Sequence, residues 1–149
     1  MKAIDIPPVW LGLFLLLAWL QTRLLPLAAW PDGGAGETVG TTLVALGLGL
    51  MAAGVAALIL GETTPIPHRA PAALVTGGVF RLSRNPVYLG DVLVLLGFVL
   101  RWEAAIALVL VPGFIVLIEC RFIRGEEARL RAAFGTEFDA YCARVRRWI

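Results

Sequence analysis

Charge is scarce in this chain. Asp, Glu, Lys and Arg make up 16% of its 149 residues, whereas 59% are hydrophobic. A soluble domain normally carries about a quarter charged residues. The shortfall, with a mean hydropathy of +0.83, excludes an ordinary soluble domain and predicts a membrane protein. Histidine and cysteine are as sparse. His68 is the single histidine, and Cys120 and Cys142 are the two cysteines. No pairing among them suggests a zinc or haem site, so no metal is expected. Both cysteines fall on the side expected to be cytoplasmic, where thiols stay reduced. The net charge of +2 is too small to argue for nucleic acid, and the basic tail suits the anionic headgroups of membrane lipids. The first stretch does not read as a signal peptide: it holds Asp5 and two prolines, and no small-residue cleavage site follows a short apolar core.

Long apolar runs fill the space that charge leaves. Residues 39–60 contain no charged side chain and are long enough to cross a hydrocarbon core of about 30 Å. Residues 8–27 form another candidate, with Gln21 and Arg23 near its far end. Residues 87–100 and 104–118 supply a third and a fourth, joined by Arg101-Trp102-Glu103. The expected fold is therefore all-α: a single membrane-embedded helical bundle of about four spans. Two N-terminal spans occupy 1–60, a cytoplasmic loop 61–86, a helical hairpin 87–118, and cytoplasmic C-terminal helices 119–149.

Basic residues give the orientation. Arg69, Arg81 and Arg84 lie between spans two and three. Arg121, Arg124, Arg129, Arg131, Arg144, Arg146 and Arg147 follow span four, while Asp32 and Glu37 follow span one. The positive-inside tendency places both termini and the middle loop in the cytoplasm, with a bacterial inner membrane as the expected setting. Trp30 and Trp102 would mark the outer interface, Trp10 and Trp148 the inner one.

Local patterns refine this plan. Ala45, Gly49, Ala53 and Ala57 recur every fourth residue and would line one stripe of span two, for packing within the chain or for a homodimer. Pro65, Pro67 and Pro71 keep 63–71 from being a continuous helix, and this loop serves either as a connector or as a lid. Thr76-Gly77-Gly78 reads as a turn. Residues 119–134 should continue span four as a helix ended by Gly135. Thr136 and Asp139 have capping-box spacing for one more helix, on which Phe138, Tyr141 and Val145 share an apolar face expected to fold back onto the core.

Two clusters hold most of the polar chemistry: Arg84-Asn85-Pro86-Val87-Tyr88-Leu89-Gly90, and Glu126-Glu127 followed by Leu130, Phe134-Gly135 and Tyr141. Both fall at expected helix ends, so one pocket at the membrane surface would hold them together. Pro86 suits a first helical turn. Gly90 leaves room for a close neighbour, either a helix or a ligand. Arg84 can hold a carboxylate through two parallel hydrogen bonds, and Tyr88 offers a ring and a hydroxyl at the same level. Taken singly, Arg84 also suits a positive-inside flank and Tyr88 an interfacial belt. Asp91 is a costly carboxylate in an apolar segment and calls for a partner or a wet cavity; Arg84 and Arg121 are the candidates. Glu126 and Glu127 point about 100° apart on a helix, so one would face inward and the other water, unless both are solvated beside Arg124 and Arg131.

The first cluster, with Val79-Phe80-Arg81 upstream, resembles the Arg-His-Pro-x-Tyr-x-Gly motif of the isoprenylcysteine carboxyl methyltransferase family, whose superfamily includes membrane phospholipid methyltransferases. Residues 121–135, then Tyr141 and Arg144-Val145, look like that family's C-terminal signature. The resemblance implies an integral-membrane methyltransferase using S-adenosylmethionine and acting on a lipophilic acceptor from the bilayer. Arg84, Asn85, Pro86, Tyr88, Gly90, Glu126 and Glu127 would then form the cofactor site, with Arg84, Tyr88 and Asp91 nearest the chemistry. Asn85 stands where the family has histidine, and an amide cannot take a charge. A second resemblance is to membrane sterol reductases, through Gly90-Asp91 and Tyr141-Cys142, which would put NADPH in the pocket. A third alternative is a catalytically silent binding module.

Overall fold

The computed structural model describes residues 5–25, 34–61 and 72–149, and among these it is helical with no strand. Helix α1 runs Pro7–Leu24 and α2 runs Ala35–Leu60. A 3₁₀ turn at Gly78–Arg81 leads into α3, Pro86–Arg101. After a tight turn at 102–103, one helical run occupies Ala105–Phe134. It opens as a 3₁₀ turn (Ala105–Val109), continues as α4 (Leu110–Ile118), widens into a π-turn (Glu119–Ile123) and ends as α5 (Arg124–Phe134). The 3₁₀ opening precedes Pro112, which has no N–H for the α-helical bond to residue 108. Gly135, at φ +50°, ends α5 as expected, and α6 follows at Thr136–Arg144. The proline-rich loop 63–71 with His68 and Arg69, the expected outer marker Trp30, and Asp32 lie outside the described residues.

Two of these helices, Ala35–Leu60 and Ala105–Phe134, are long and apolar enough to cross a membrane. The expected four spans are thus reduced to two that qualify on their own. Helix α1 has 18 residues but carries Gln21 and Arg23 in its last turn, and α3 has only 16. At 1.5 Å per residue, α3 is shorter than a core of about 30 Å. Its place depends instead on neighbours that cover it on nearly every side. Val92, Leu95 and Val99 of α3 are buried against Leu11 and Ala18 of α1 and against Val111, Phe114 and Ile118 of α4. Phe14 and Phe114 meet edge to face at 5.1 Å. Outward-facing leucines such as Leu13, Leu17, Leu46 and Leu48 stay exposed, as suits side chains facing lipid.

Helix α2 meets α3 along a seam different from the expected stripe. Ala45 and Gly49 face outward, and a Cβ at Gly49 would meet nothing within 4 Å. The buried positions of α2 are Gly40, Gly47 and Gly54, seven residues apart. Gly40 lies against the Gly97 carbonyl and Gly47 against the Gly90 carbonyl, so the two helices run antiparallel with backbones nearly touching. A seven-residue period keeps one seam facing its partner over several turns. With lipid outside, close backbone approach takes the place of a hydrophobic driving force.

A second small core sits beyond the membrane-length helices. Phe80, Phe138 and Tyr141 are buried together, with Leu130 and Val145 packed against them. The apolar face of α6 therefore folds back as its spacing predicts. The capping box does not form: no side chain caps α6, and Asp139 pairs with Arg131 at 2.8 Å, since a guanidinium outcompetes a neutral backbone N–H for a carboxylate. The Tyr141 hydroxyl donates to the Phe80 carbonyl at 2.6 Å. Burial pushes this phenol up to about 12. Because the folded value lies above the unfolded one, near 10, this contribution is fully present below pH 10 and is lost as pH rises through 12. Tyr141→Phe should cost about 1–3 kcal/mol by leaving a buried carbonyl unpaired; a thermal melt in detergent that matches wild type would show that α6 is held by packing alone.

Candidate functional site

Pro86 begins α3, so residues 83–85 are set just ahead of its first turn. Their conformation is fixed locally and from a distance. The Asn85 N–H donates to Ser83 Oγ at 3.0 Å. The Asn85 side chain does not cap α3; its Nδ2 donates to the Arg147 carbonyl at 3.0 Å. Arg84 is thereby aimed at α5, where Nη2 lies 3.3 Å from Glu127 Oε1. One turn into α3, the Tyr88 hydroxyl donates to Glu126 Oε2 at 3.0 Å, and its ring lies beside Phe122.

Both glutamates therefore face inward, contrary to the expectation that one would meet water. They sit side by side at the start of α5. Glu126 reaches the Tyr88 side, while Glu127 reaches Arg84 and Arg147. The arginines expected as solvated partners are engaged elsewhere, Arg124 with Glu119 and Arg131 with Asp139. The preceding π-turn contributes to this aim, because one extra residue per turn changes the direction of everything after it.

Asp91 lies three residues after Tyr88, on the same face of α3, and is only 1% exposed. Neither expected partner reaches it: Arg84 pairs with Glu127, and Arg121 pairs with Asp5 at 2.6 Å. Its Oδ1 has no hydrogen-bond partner among the described residues, and the same holds for Arg84 Nε and Arg129 Nε.

These side chains surround one cavity of about 480 Å³, within the roughly 300–1,000 Å³ usual for small-molecule sites. Arg84, Asn85, Pro86, Tyr88, Asp91, Glu126 and Glu127 all line it. Gly90 does not: it is spent on the contact with α2, where a Cβ would come within 2.6 Å of the Gly47 carbonyl. The polar groups come from the two residues ahead of α3, from α3 itself and from α5. The opposite wall is apolar, made by Met51, Val55 and Leu58 of α2 together with residues 6–8. Two arginines went unmarked in the sequence. Arg129 lines the cavity, one turn after Glu126, and Arg147 grips Glu127 from the segment after α6. Spacing on α5 would have found Arg129; Arg147 looks like any other basic residue of the tail.

An all-helical membrane protein with a cavity lined by both charged and apolar side chains suits an enzyme that joins a polar reactant to a greasy one. A model of the phospholipid methyltransferase family matches residues 36–137, and the chain belongs to that family. The family is one of membrane methyltransferases, and the matched segment takes in the first cluster and the second as far as Gly135, with Tyr141 just beyond it. No curated protein and no solved structure matches the chain.

Proposed function

We propose that the protein is an S-adenosylmethionine-dependent methyltransferase acting on a lipophilic acceptor, with the cavity at the cytoplasmic face of the membrane. The observation that carries this is the convergence of Arg84, Tyr88, Asp91, Glu126 and Glu127 on one space of about 480 Å³ with an apolar opposite wall. The residues fit the cofactor. Among the described residues, Arg84 Nε and Arg129 Nε are buried donors lacking acceptors, and Asp91 Oδ1 is a buried acceptor lacking a donor. Such groups are costly unless a ligand satisfies them.

S-adenosylmethionine supplies a methyl group on a sulfonium, so the acceptor needs chiefly to be held in line and close. Arg84 would bind the methionine carboxylate, Glu126 or Glu127 the ribose hydroxyls, and Tyr88 would line the space nearest the reacting centre. Pro86 sets the start of α3, and Asn85 acts at one remove, by holding residue 147. A lipophilic acceptor would enter from the bilayer along Met51, Val55 and Leu58. A carboxylate acceptor is already ionised and needs no base; an amine or phenol must lose a proton, and Asp91 is placed to take it.

Titration calorimetry of the detergent-solubilised protein tests this. S-adenosylhomocysteine should bind and NADPH should not. Binding of NADPH alone would favour the reductase alternative, and binding of neither would favour a silent module. Asp91→Asn then sorts the acceptors. Methylation of a carboxylate should be unaffected, whereas that of an amine or phenol should fall by roughly 10²-fold or more. An equal loss on every acceptor would remove Asp91 from proton transfer.

A further inference from the structure

Arg147 lies beyond the segment that the family model matches, yet both halves of the residue are committed to the site. Its guanidinium meets Glu127 with two near-parallel bonds: Nε donates to Oε1 at 3.1 Å and Nη2 to Oε2 at 2.6 Å. The remaining nitrogen, Nη1, donates to Glu119 Oε1 at 2.8 Å. Paired bonds of this kind fix the plane of a carboxylate as well as its position. The backbone is just as occupied. The Arg147 carbonyl accepts from Ser83 Oγ at 3.2 Å and Asn85 Nδ2 at 3.0 Å, and the Arg146 carbonyl accepts from the Arg84 N–H at 3.0 Å. One dipeptide thus holds the residues ahead of α3 through its carbonyls, and Glu127 of α5 and Glu119 of the π-turn through the Arg147 side chain.

We propose that Arg147 is a positioning residue of the methyltransferase site, fixing Glu127 toward the cavity and freeing Arg84 to receive an anionic group. This rests on Glu127 being a cofactor-binding carboxylate, as proposed above. Two guanidiniums compete for one carboxylate. Arg147 holds both oxygens of Glu127 at hydrogen-bond distance, while Arg84 approaches one oxygen at 3.3 Å and keeps a buried Nε without an acceptor among the described residues. Without Arg147, a Glu127 that is only 8% exposed would draw Arg84 in as its counter-charge. The donor would then be turned from the ligand toward the protein. Hydrogen bonding to Glu127 also holds the Arg147 guanidinium above its usual pKa, so the charge that does this work is constant at any ordinary pH.

Calorimetric affinity for S-adenosylhomocysteine tests the proposal on the full chain, with thermal unfolding measured alongside. Arg147→Ala should raise Kd roughly tenfold, the scale of losing one partner from a charge pair that is still partly open to water. Glu127→Gln should also raise Kd. The double variant should bind no more weakly than the weaker single one, because Arg147 acts through Glu127. Arg147→Lys, which keeps the charge and loses the parallel pair, should fall between; if the alanine variant does not fold, lysine decides, and a wild-type Kd there overturns the proposal. Arg23→Ala, at an exposed residue in the last turn of α1, should leave Kd unchanged. Weakening by Glu127→Gln without weakening by Arg147→Ala overturns the positioning role alone, as do additive losses in the double variant. Wild-type affinity in Glu127→Gln overturns the cofactor role of Glu127 and the positioning role with it, as does a wild-type protein that binds no S-adenosylhomocysteine.

Discussion

Gly47→Val should unfold or grossly loosen the protein in detergent, at a cost of about 3 kcal/mol or more, the upper end of what overpacking does. A Cβ at this position would lie 2.7 Å from the Gly90 carbonyl and 2.9 Å from Val94 Cγ2. The first obstacle is backbone and cannot swing aside. Helices α2 and α3 would have to separate, and Gly40 against Gly97, on the same seam, would separate with them. Gly49→Val is the matched control. It adds the same atoms two residues away, where none of the described residues lies within 4 Å, and should leave the melting temperature unchanged or slightly raised. Equal melting of the two variants would show that the glycine seam does not hold the bundle together.

Arg84→Ala should weaken S-adenosylhomocysteine binding by about 30- to 100-fold, or roughly 2–3 kcal/mol, the range for removing one partner of a buried charge pair. The side chain is 14% exposed, lines the cavity and has one guanidinium nitrogen without a partner among the described residues. The fold should survive, because Glu127 keeps both bonds from Arg147 and residues 83–85 remain tied through backbone and side-chain bonds that alanine at 84 does not remove. Arg84→Lys should recover only part of the affinity, since an ammonium is a point charge without a fork of donors. An unchanged Kd in Arg84→Ala, measured by the same titration, would take the cofactor carboxylate away from this residue.

Much of this site was legible before any coordinates. The apolar runs located α1 to α4 because a helix surrounded by lipid, or like α3 by other apolar helices, carries an uninterrupted hydrophobic signal. The two polar clusters stood out because charge is rare around them. Gly135 and the apolar face of α6 followed from local rules, which depend on a few neighbouring residues. What stayed hidden were pairings between distant segments. Gly40, Gly47 and Gly54 carry almost no hydropathy signal, and their meaning appears only beside Gly90 and Gly97 on the partner helix. Gly90 suits a helix or a ligand equally by its sequence, and only the approach of α2 decides between them. Asp91 called for a cation by charge alone, yet both candidates found carboxylates nearer to hand. Arg147 was indistinguishable from its basic neighbours, because its role comes from where the chain returns rather than from what surrounds it in sequence.

The widened turn at Glu119–Ile123 has a consequence for how this protein tolerates change. An additional residue in one helical turn rotates all that follows by about 100° relative to an unbroken α-helix. The azimuth of Glu126 and Glu127 is therefore set upstream, by residues that never touch the ligand space. A substitution or single deletion that let this stretch relax into ordinary geometry would swivel the acidic doublet off target while leaving every lining side chain chemically intact. The enzyme would then be silenced by a change of phase.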